Sequence, residues 1–250
     1  MAGIRLVRGF LTVGAWTMAS RVLGFVRDIV IAAALGAGPV AEAFVVAFSL
    51  PNMFRRFFAE GAFNMAFVPM FSKRLESGQD PLGFARDAFS ALAGLLIVFT
   101  LLAQAAMPWL VLAMASGFAG DVRFDMAVGF GRIAFVYILF ISLAALLSGV
   151  LNAAGRFAAA AAAPVLLNVI LVTAILLAET GILEDIVVLG TVEGAAITGL
   201  HHGTLLSWGV VVAGIAQLAL VWVAAKRAGF DIRFTRPTLT PELRRLARIA

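Results

Sequence analysis

The stretch FLTVGAWTMASRVLGFVRDIVIAAAL, Phe10 to Leu35, is longer and more apolar than a soluble helix needs, yet it carries Arg21, Arg27 and Asp28. A helix that crosses a bilayer takes ~20 mostly apolar residues, so this run is read as a membrane span. Each ionised side chain costs ~2.5–3.5 kcal/mol near the middle of such a helix, while each strongly apolar residue returns roughly 0.3–0.6 kcal/mol. Three charges therefore cancel most of what the rest of the helix gains. They are expected to face a polar cavity and not lipid. Arg5 and Arg8 precede the run as they would in a signal peptide, but the run is too long for an h-region and carries charges inside it, so a retained first span is expected.

The rest of the chain has the same character. Of 250 residues, 62% are hydrophobic and only 13% charged, against about 25% charged in an average soluble domain. Apolar stretches run from Ala41 to Phe71, Phe84 to Met114, Met126 to Leu151, Ala158 to Ala178 and Leu205 to Ala225. With the first run these make six expected spans. The fold class expected is an all-α integral membrane protein. Pro51 is expected to kink the second span, and the Ala158 to Ala163 run reads as a tightly packed helix start. Cysteine is absent, which removes disulfides and thiolate chemistry from consideration.

The net charge of +5 suits a membrane better than a nucleic acid, because the basic residues collect in alternate loops. With the N-terminus in the cytoplasm, Arg5, Arg8, Lys73, Arg74, Arg86, Arg156 and the basic run from Lys226 to Arg248 lie inside, while only Arg123 lies outside. Asp121, Asp125, Glu179, Glu184, Asp185 and Glu193 fall outside. This is the positive-inside asymmetry, and an even number of spans preserves it. The lobe is thus expected over residues 1–225, followed by a basic cytoplasmic linker over 226–250. Within that linker Thr240-Pro241-Glu242 reads as the start of a further helix, which leads to the expectation of a truncated chain with a related second half beyond it.

The second span holds Glu42, Asn52, Arg55, Arg56, Glu60 and Asn64. Asn52, Arg56, Glu60 and Asn64 recur every four residues and share a face if the helix is continuous. Arg56 and Glu60 can pair along it, in a purely structural role or a functional one. Counting Arg132 in the fourth span, the membrane-embedded cations are Arg21, Arg27, Arg55, Arg56 and Arg132, against Asp28, Glu42 and Glu60. The surplus is cationic. A cavity with surplus arginine suits an anion, and the guanidinium fork matches phosphate oxygens two at a time.

Several motifs then carry a resemblance. Ser20-Arg21-Val22-Leu23-Gly24-Phe25-Val26-Arg27-Asp28, Leu50-Pro51-Asn52-Met53-Phe54-Arg55-Arg56 and Phe58-Ala59-Glu60-Gly61-Ala62-Phe63 resemble the first two helices of the MurJ/MviN lipid II flippases. Gly149-Val150-Leu151-Asn152 and Ala163-Pro164-Val165-Leu166-Leu167-Asn168 are similar to later parts of the same family. The resemblance implies one lobe of a two-lobed multidrug/oligosaccharidyl-lipid/polysaccharide exporter fold. It also implies movement of lipid II across the cytoplasmic membrane during peptidoglycan synthesis. Arg21, Arg27 and Arg55 match the family's cavity arginines that bind substrate. Ser20, Asp28, Glu42, Arg56 and Glu60 are expected as supporting polar and charged groups. Glu42 departs from the family's usual aspartate by one methylene. The partners implied are lipid II, membrane lipids and a second lobe, with no cofactor, no metal and no catalytic residue.

Two related readings are a flippase for another lipid-linked oligosaccharide and a cation-coupled drug exporter. Surplus arginine disfavours the exporter. A membrane enzyme acting on prenyl phosphates would need a cluster of ligands or acids. His201-His202 is the only histidine pair, and it is expected to be a loop feature in the Glu179 to Gly203 segment, which is also long enough for a short amphipathic helix. A purely structural scaffold would not explain arginines at membrane depth.

Overall fold

The computed structural model describes residues 2–56, 62–181 and 199–235, with the side chains of residues 2–10, 62 and 63 outside that description. All regular structure among the described residues is helical. α1 spans Ala2–Leu35, α2 Pro39–Arg55, α3 Ala62–Ser77, α4 Pro81–Ala105, α5 Met107–Met114, α6 Val122–Phe135, α7 Tyr137–Ala153, α8 Ala158–Glu179 and α9 Leu200–Arg227. Four stretches are long and apolar enough to cross a membrane: Pro81–Ala105, Val122–Ala153, Ala158–Glu179 and Leu200–Arg227.

Local chemistry explains several of the boundaries. Pro39 takes the first turn of α2 and Pro81 that of α4, where a missing N–H costs nothing. The Asp80 carboxylate accepts from the Gly83 N–H at 2.9 Å and caps α4. Asp121 caps α6 by accepting from the Arg123 N–H at 2.8 Å.

One expected span is interrupted within the described residues, and another passes through residues outside them. In the Ala41 to Phe71 stretch α2 is described to Arg55 and α3 from Ala62, with residues 57–61 outside the description. Pro51 removes one ladder donor. Ser49 Oγ and Asn52 Nδ2 bond back to the carbonyls of Val45 and Phe48 at 2.7 and 2.9 Å, which further loosens the final turns. The expected shared face of Asn52, Arg56, Glu60 and Asn64 runs through Glu60, which lies outside the described residues. The Phe84 to Met114 stretch breaks at Ala106, just before Pro108 of α5.

α8 packs between α1 and α9, α2 lies along α6, and α7 lies along α9. Two apolar clusters fill the bundle. One gathers Phe44, Leu50, Met107, Phe130, Phe135 and Val210. The other gathers Phe67, Phe71, Phe84, Leu92, Leu146 and Val150. The Phe54 ring meets Phe99 and Phe135 edge-on at 5.2 and 5.6 Å, tying α2 to α4 and α6. A buried polar chain crosses this apolar interior. Tyr137 Oη donates to Gln217 Oε1 at 3.2 Å, and Gln217 Nε2 donates to the Ala163 carbonyl at 2.9 Å. It links α7, α9 and α8 while satisfying groups that would be costly to bury alone.

Many large apolar side chains face outward, among them Leu95, Val98, Leu101 and Leu102 on α4 and Leu176 and Leu177 on α8. In water such a surface would be an aggregation liability; in a bilayer it is in its proper solvent. At the other end of α9, residues after Arg227 fold back on the lobe. Arg86 donates from Nε and Nη2 to the Asp231 carbonyl at 3.0 and 2.8 Å, and Trp222 Nε1 donates to the Ile232 carbonyl at 3.0 Å. The Asp231 carboxyl is itself held below the usual carboxylate range by a hydrogen bond from Arg233. The expected helix start at Thr240-Pro241-Glu242 and the Glu179 to Gly203 amphipathic segment fall largely outside the described residues.

Candidate functional site

α1 has two contrasting faces. Ser20, Arg21, Gly24, Arg27 and Asp28 fall within an arc of about 120° at 3.6 residues per turn. Leu11, Met18, Val22, Phe25 and Ile29 form an exposed apolar stripe on the opposite side. The polar arc turns toward α8.

Within that arc Arg27 is the best-held cation. Its side chain is only 18% exposed. Nε and Nη2 donate to Asp28 Oδ1 at 3.0 and 2.7 Å, and Nη1 donates to Asn168 Oδ1 of α8 at 2.8 Å. Of the five N–H groups a guanidinium carries, one on each terminal nitrogen is left over by these bonds. Asn168 Nδ2 donates to the Ser20 carbonyl at 2.9 Å, with Ser20 Oγ at 3.5 Å. Ser20, Arg27 and Asp28 are thus gathered into one network, and Asn168 completes it. Arg27 and Asp28 open on a recess of about 360 Å³ between α1 and α2, with Phe44, Phe48, Ser49 and Leu171 on its walls. Arg21 is exposed on the edge of the arc and makes no ion pair among the described residues.

Arg55 stands elsewhere. It closes α2, is half-buried, and lines a separate recess of about 510 Å³ with Asn64, Ser148, Asn152 and Gln217. Within the described lobe, Arg27 and Arg55 occupy different recesses. Arg56 follows α2 and is exposed.

Glu42, expected as a supporting charge, is bonded within the described residues to Arg123. It sits in the first turn of α2, so a helix rise of 1.5 Å per residue puts it about 20 Å from Arg55 along the axis. Its Oε2 accepts from Arg123 Nη1 at 2.6 Å. Arg123 also bonds Asp121 and lies over the Phe118 ring at 4.7 Å. The hydrogen bond from Arg123 holds the Asp121 carboxyl below the usual carboxylate range. Arg123, the lone outside cation of the charge map, therefore adds a polar tie between α2 and α6.

The histidine pair is corrected. His201 and His202 belong to the first turn of α9 and not to a loop. Gly199 at φ 85° supplies the left-handed residue from which the helix starts. His202 Nε2 lies 3.2 Å from Glu179 Oε1 and joins α9 to the end of α8.

Sequence reasoning missed Asn168 as a site residue. Its signal was an amide in the middle of an apolar helix, but nothing local named Arg27 as its partner.

Outward apolar faces and polar, guanidinium-bearing recesses between helices define a polytopic α-helical membrane protein. The chain belongs to the MurJ family: the family model described as lipid II flippase MurJ matches residues 31–250. A probable lipid II flippase MurJ of Rhizobium meliloti is 45% identical over 249 residues, which is 98% of this chain and 44% of the relative. The corresponding protein of Rickettsia prowazekii is 32% identical over 96% of the chain and 44% of its own length. The lipid II flippase MurJ of Burkholderia cenocepacia is 45% identical over 68% of the chain and 34% of its own length. The chain is thus a bacterial membrane protein, and it spans less than half the length of these curated relatives.

Proposed function

We propose that this chain forms the N-terminal lobe of a lipid II flippase, which carries the undecaprenyl-pyrophosphate-linked peptidoglycan precursor from the inner to the outer leaflet of the cytoplasmic membrane. The observation that carries the reading is Arg27: a cation sunk among helices, pinned on two sides, with N–H groups left to donate to an anion. A pyrophosphate offers oxygens at the spacing a guanidinium fork accepts.

Six spans fit the described helices when α2 is joined with α3, α4 with α5, and α6 with α7. The N-terminus then lies in the cytoplasm, with Arg86, Arg156 and Lys226 on the same side and the Glu42–Arg123 pair on the other. A second lobe, of the kind the greater length of the relatives allows for, faces this one across a central cavity. The headgroup enters from the cytoplasmic side, Arg21, Arg27 and Arg55 meet its phosphates, and the prenyl tail stays in lipid. Rocking of the lobes opens the site outward. Since Arg27 and Arg55 line separate recesses of the lobe, they grip different parts of the headgroup or converge as the lobes close. No bond is made or broken, so no catalytic residue is required.

The test is Arg27→Ala and Arg55→Ala in a full-length protein bearing these residues, reconstituted with labelled lipid II. Both variants should lose most of the flipping rate at equal protein incorporation. Flipping at the unmodified rate by both would refute the arginine reading.

A further inference from the structure

Asn168 lies in the apolar helix α8 and is 4% exposed. A buried amide must bond at both ends, and this one does so with a single neighbouring helix. Its oxygen takes the Arg27 Nη1–H and its nitrogen gives to the Ser20 carbonyl. The direction of the amide is therefore dictated. Arginine can only donate, so the oxygen must face Arg27; a carbonyl can only accept, so the nitrogen must face Ser20. The Ser20 carbonyl is part of the backbone of α1 and cannot swing away. Gly24, between the two contacts, faces the same amide: a Cβ built there would meet Asn168 Nδ2 at an ordinary contact distance of 3.6 Å.

Arg27 has a second partner, Asp28, but that carboxylate is 66% exposed and lies on the same helix. Asp28 alone would let the guanidinium follow it outward toward solvent. Asn168 is the contact that comes from another helix, and it carries no charge. A carboxylate at this place would also accept from the guanidinium, but it would set an oxygen against the Ser20 carbonyl and add a second negative charge to a pair that Asp28 already balances.

We propose that Asn168 is a positioning residue for anion recognition, a neutral amide anchored on the α1 backbone that holds the Arg27 guanidinium facing its recess without consuming its charge. The inference rests on the reading of Arg27 as a headgroup contact.

The experiment measures lipid II affinity of the full-length protein bearing these residues, with inorganic pyrophosphate as competitor. The variants are Asn168→Asp, Asn168→Ser and Arg27→Ala, with thermal stability recorded for each. Aspartate is the closer isostere and still accepts from Arg27, whereas serine is too short to reach it. Aspartate also sets an oxygen against the Ser20 carbonyl, so both variants lose thermal stability whichever role Asn168 has. The positioning role is read instead in binding by variants that remain folded, where pyrophosphate competition is lost, which a loss of stability alone does not bring. Asn168→Asp should lose about tenfold in lipid II affinity, the scale of one hydrogen bond to a charged group, and should lose competition by pyrophosphate. Asn168→Ser should lose less. Should Asn168→Asp fail to fold, a loss of affinity in a stably folded Asn168→Ser supports the proposal, and unchanged affinity in that variant overturns it. If Asn168→Asp binds as well as Asn168→Ser or better while Arg27→Ala has lost binding, the positioning role is overturned and the arginine reading stands. If Arg27→Ala binds normally, the arginine reading falls and this inference with it.

Discussion

Close helix packing at Gly203 can be weighed directly against helix propensity. Gly203 lies on α9, where a Cβ would come 2.4 and 2.7 Å from Cζ and Cε2 of Phe130 and 2.9 Å from Cγ1 of Val40. Both neighbours are 3% exposed, so neither can swing into open space. Optimal carbon contacts lie near 3.5–4.0 Å, so the Phe130 ring must retreat by roughly 1 Å inside a filled core. Overpacking of that kind costs ~1–3 kcal/mol. Gly94 on α4 is the matched control, since a Cβ there meets nothing within 4 Å. Gly94→Ala, in the middle of α4, gains ~1 kcal/mol in helix propensity, and Gly203→Ala, in the first turn of α9, gains no more than that. Gly94→Ala should therefore stabilise the protein, and Gly203→Ala should fall ~1–3 kcal/mol below it. Gly214→Ala should behave like Gly203→Ala, because its Cβ would lie 2.7 Å from Tyr137 Cδ2 and 3.2 Å from Phe140 Cβ, the latter held close to its backbone. The assay is unfolding of the three purified variants on titration from mild detergent into SDS. Equal stability of Gly203→Ala and Gly94→Ala would refute the packing of α9 against α6 and α2 described here.

Two further outcomes follow from the polar contacts. Gln217→Leu strands the Tyr137–Gln217–Ala163 chain and should cost ~1–3 kcal/mol in the same titration; an unchanged midpoint would argue against that buried link. Asp121 has a folded pKa below its unfolded value of ~3.9, so its contribution is present above that value and is lost as pH falls through the folded pKa. Asp121→Asn should therefore lower the melting temperature at neutral pH, with the gap to the unmodified protein closing under strong acid; a gap independent of pH would contradict the Arg123 contact.

Much of this architecture was legible from sequence because hydropathy is a local property. An apolar run such as Ala158–Glu179 or Leu200–Arg227 must be helical in lipid, where each backbone group needs an internal partner. The closeness of Arg27 to Asp28 was legible for the same reason, since they are neighbours in the chain. The charges flagged at membrane depth led to Arg27, and α1 sorted its polar and apolar residues by simple helical periodicity.

What the sequence could not specify is how each helix is turned about its own axis and which helix it meets. Asn168 and Arg27 are 141 residues apart, and Glu42 and Arg123 are 81 apart. A glutamate in a span reads equally well as a cavity ligand or as a tie between helices. Packing of α2 along α6 gave it Arg123 as a partner. The one-residue hitch at Val136, between α6 and α7, keeps helical dihedrals (φ −58°, ψ −25°) and has no proline or glycine at its centre to announce it. Composition, helical periodicity and the positive-inside count thus determined the membrane solvent, the helical class and the residues worth watching. Only the tertiary structure decided their partners, because a side chain's partner depends on the rotation and docking of two helices, and those are set by the summed packing of both surfaces and not by either segment alone.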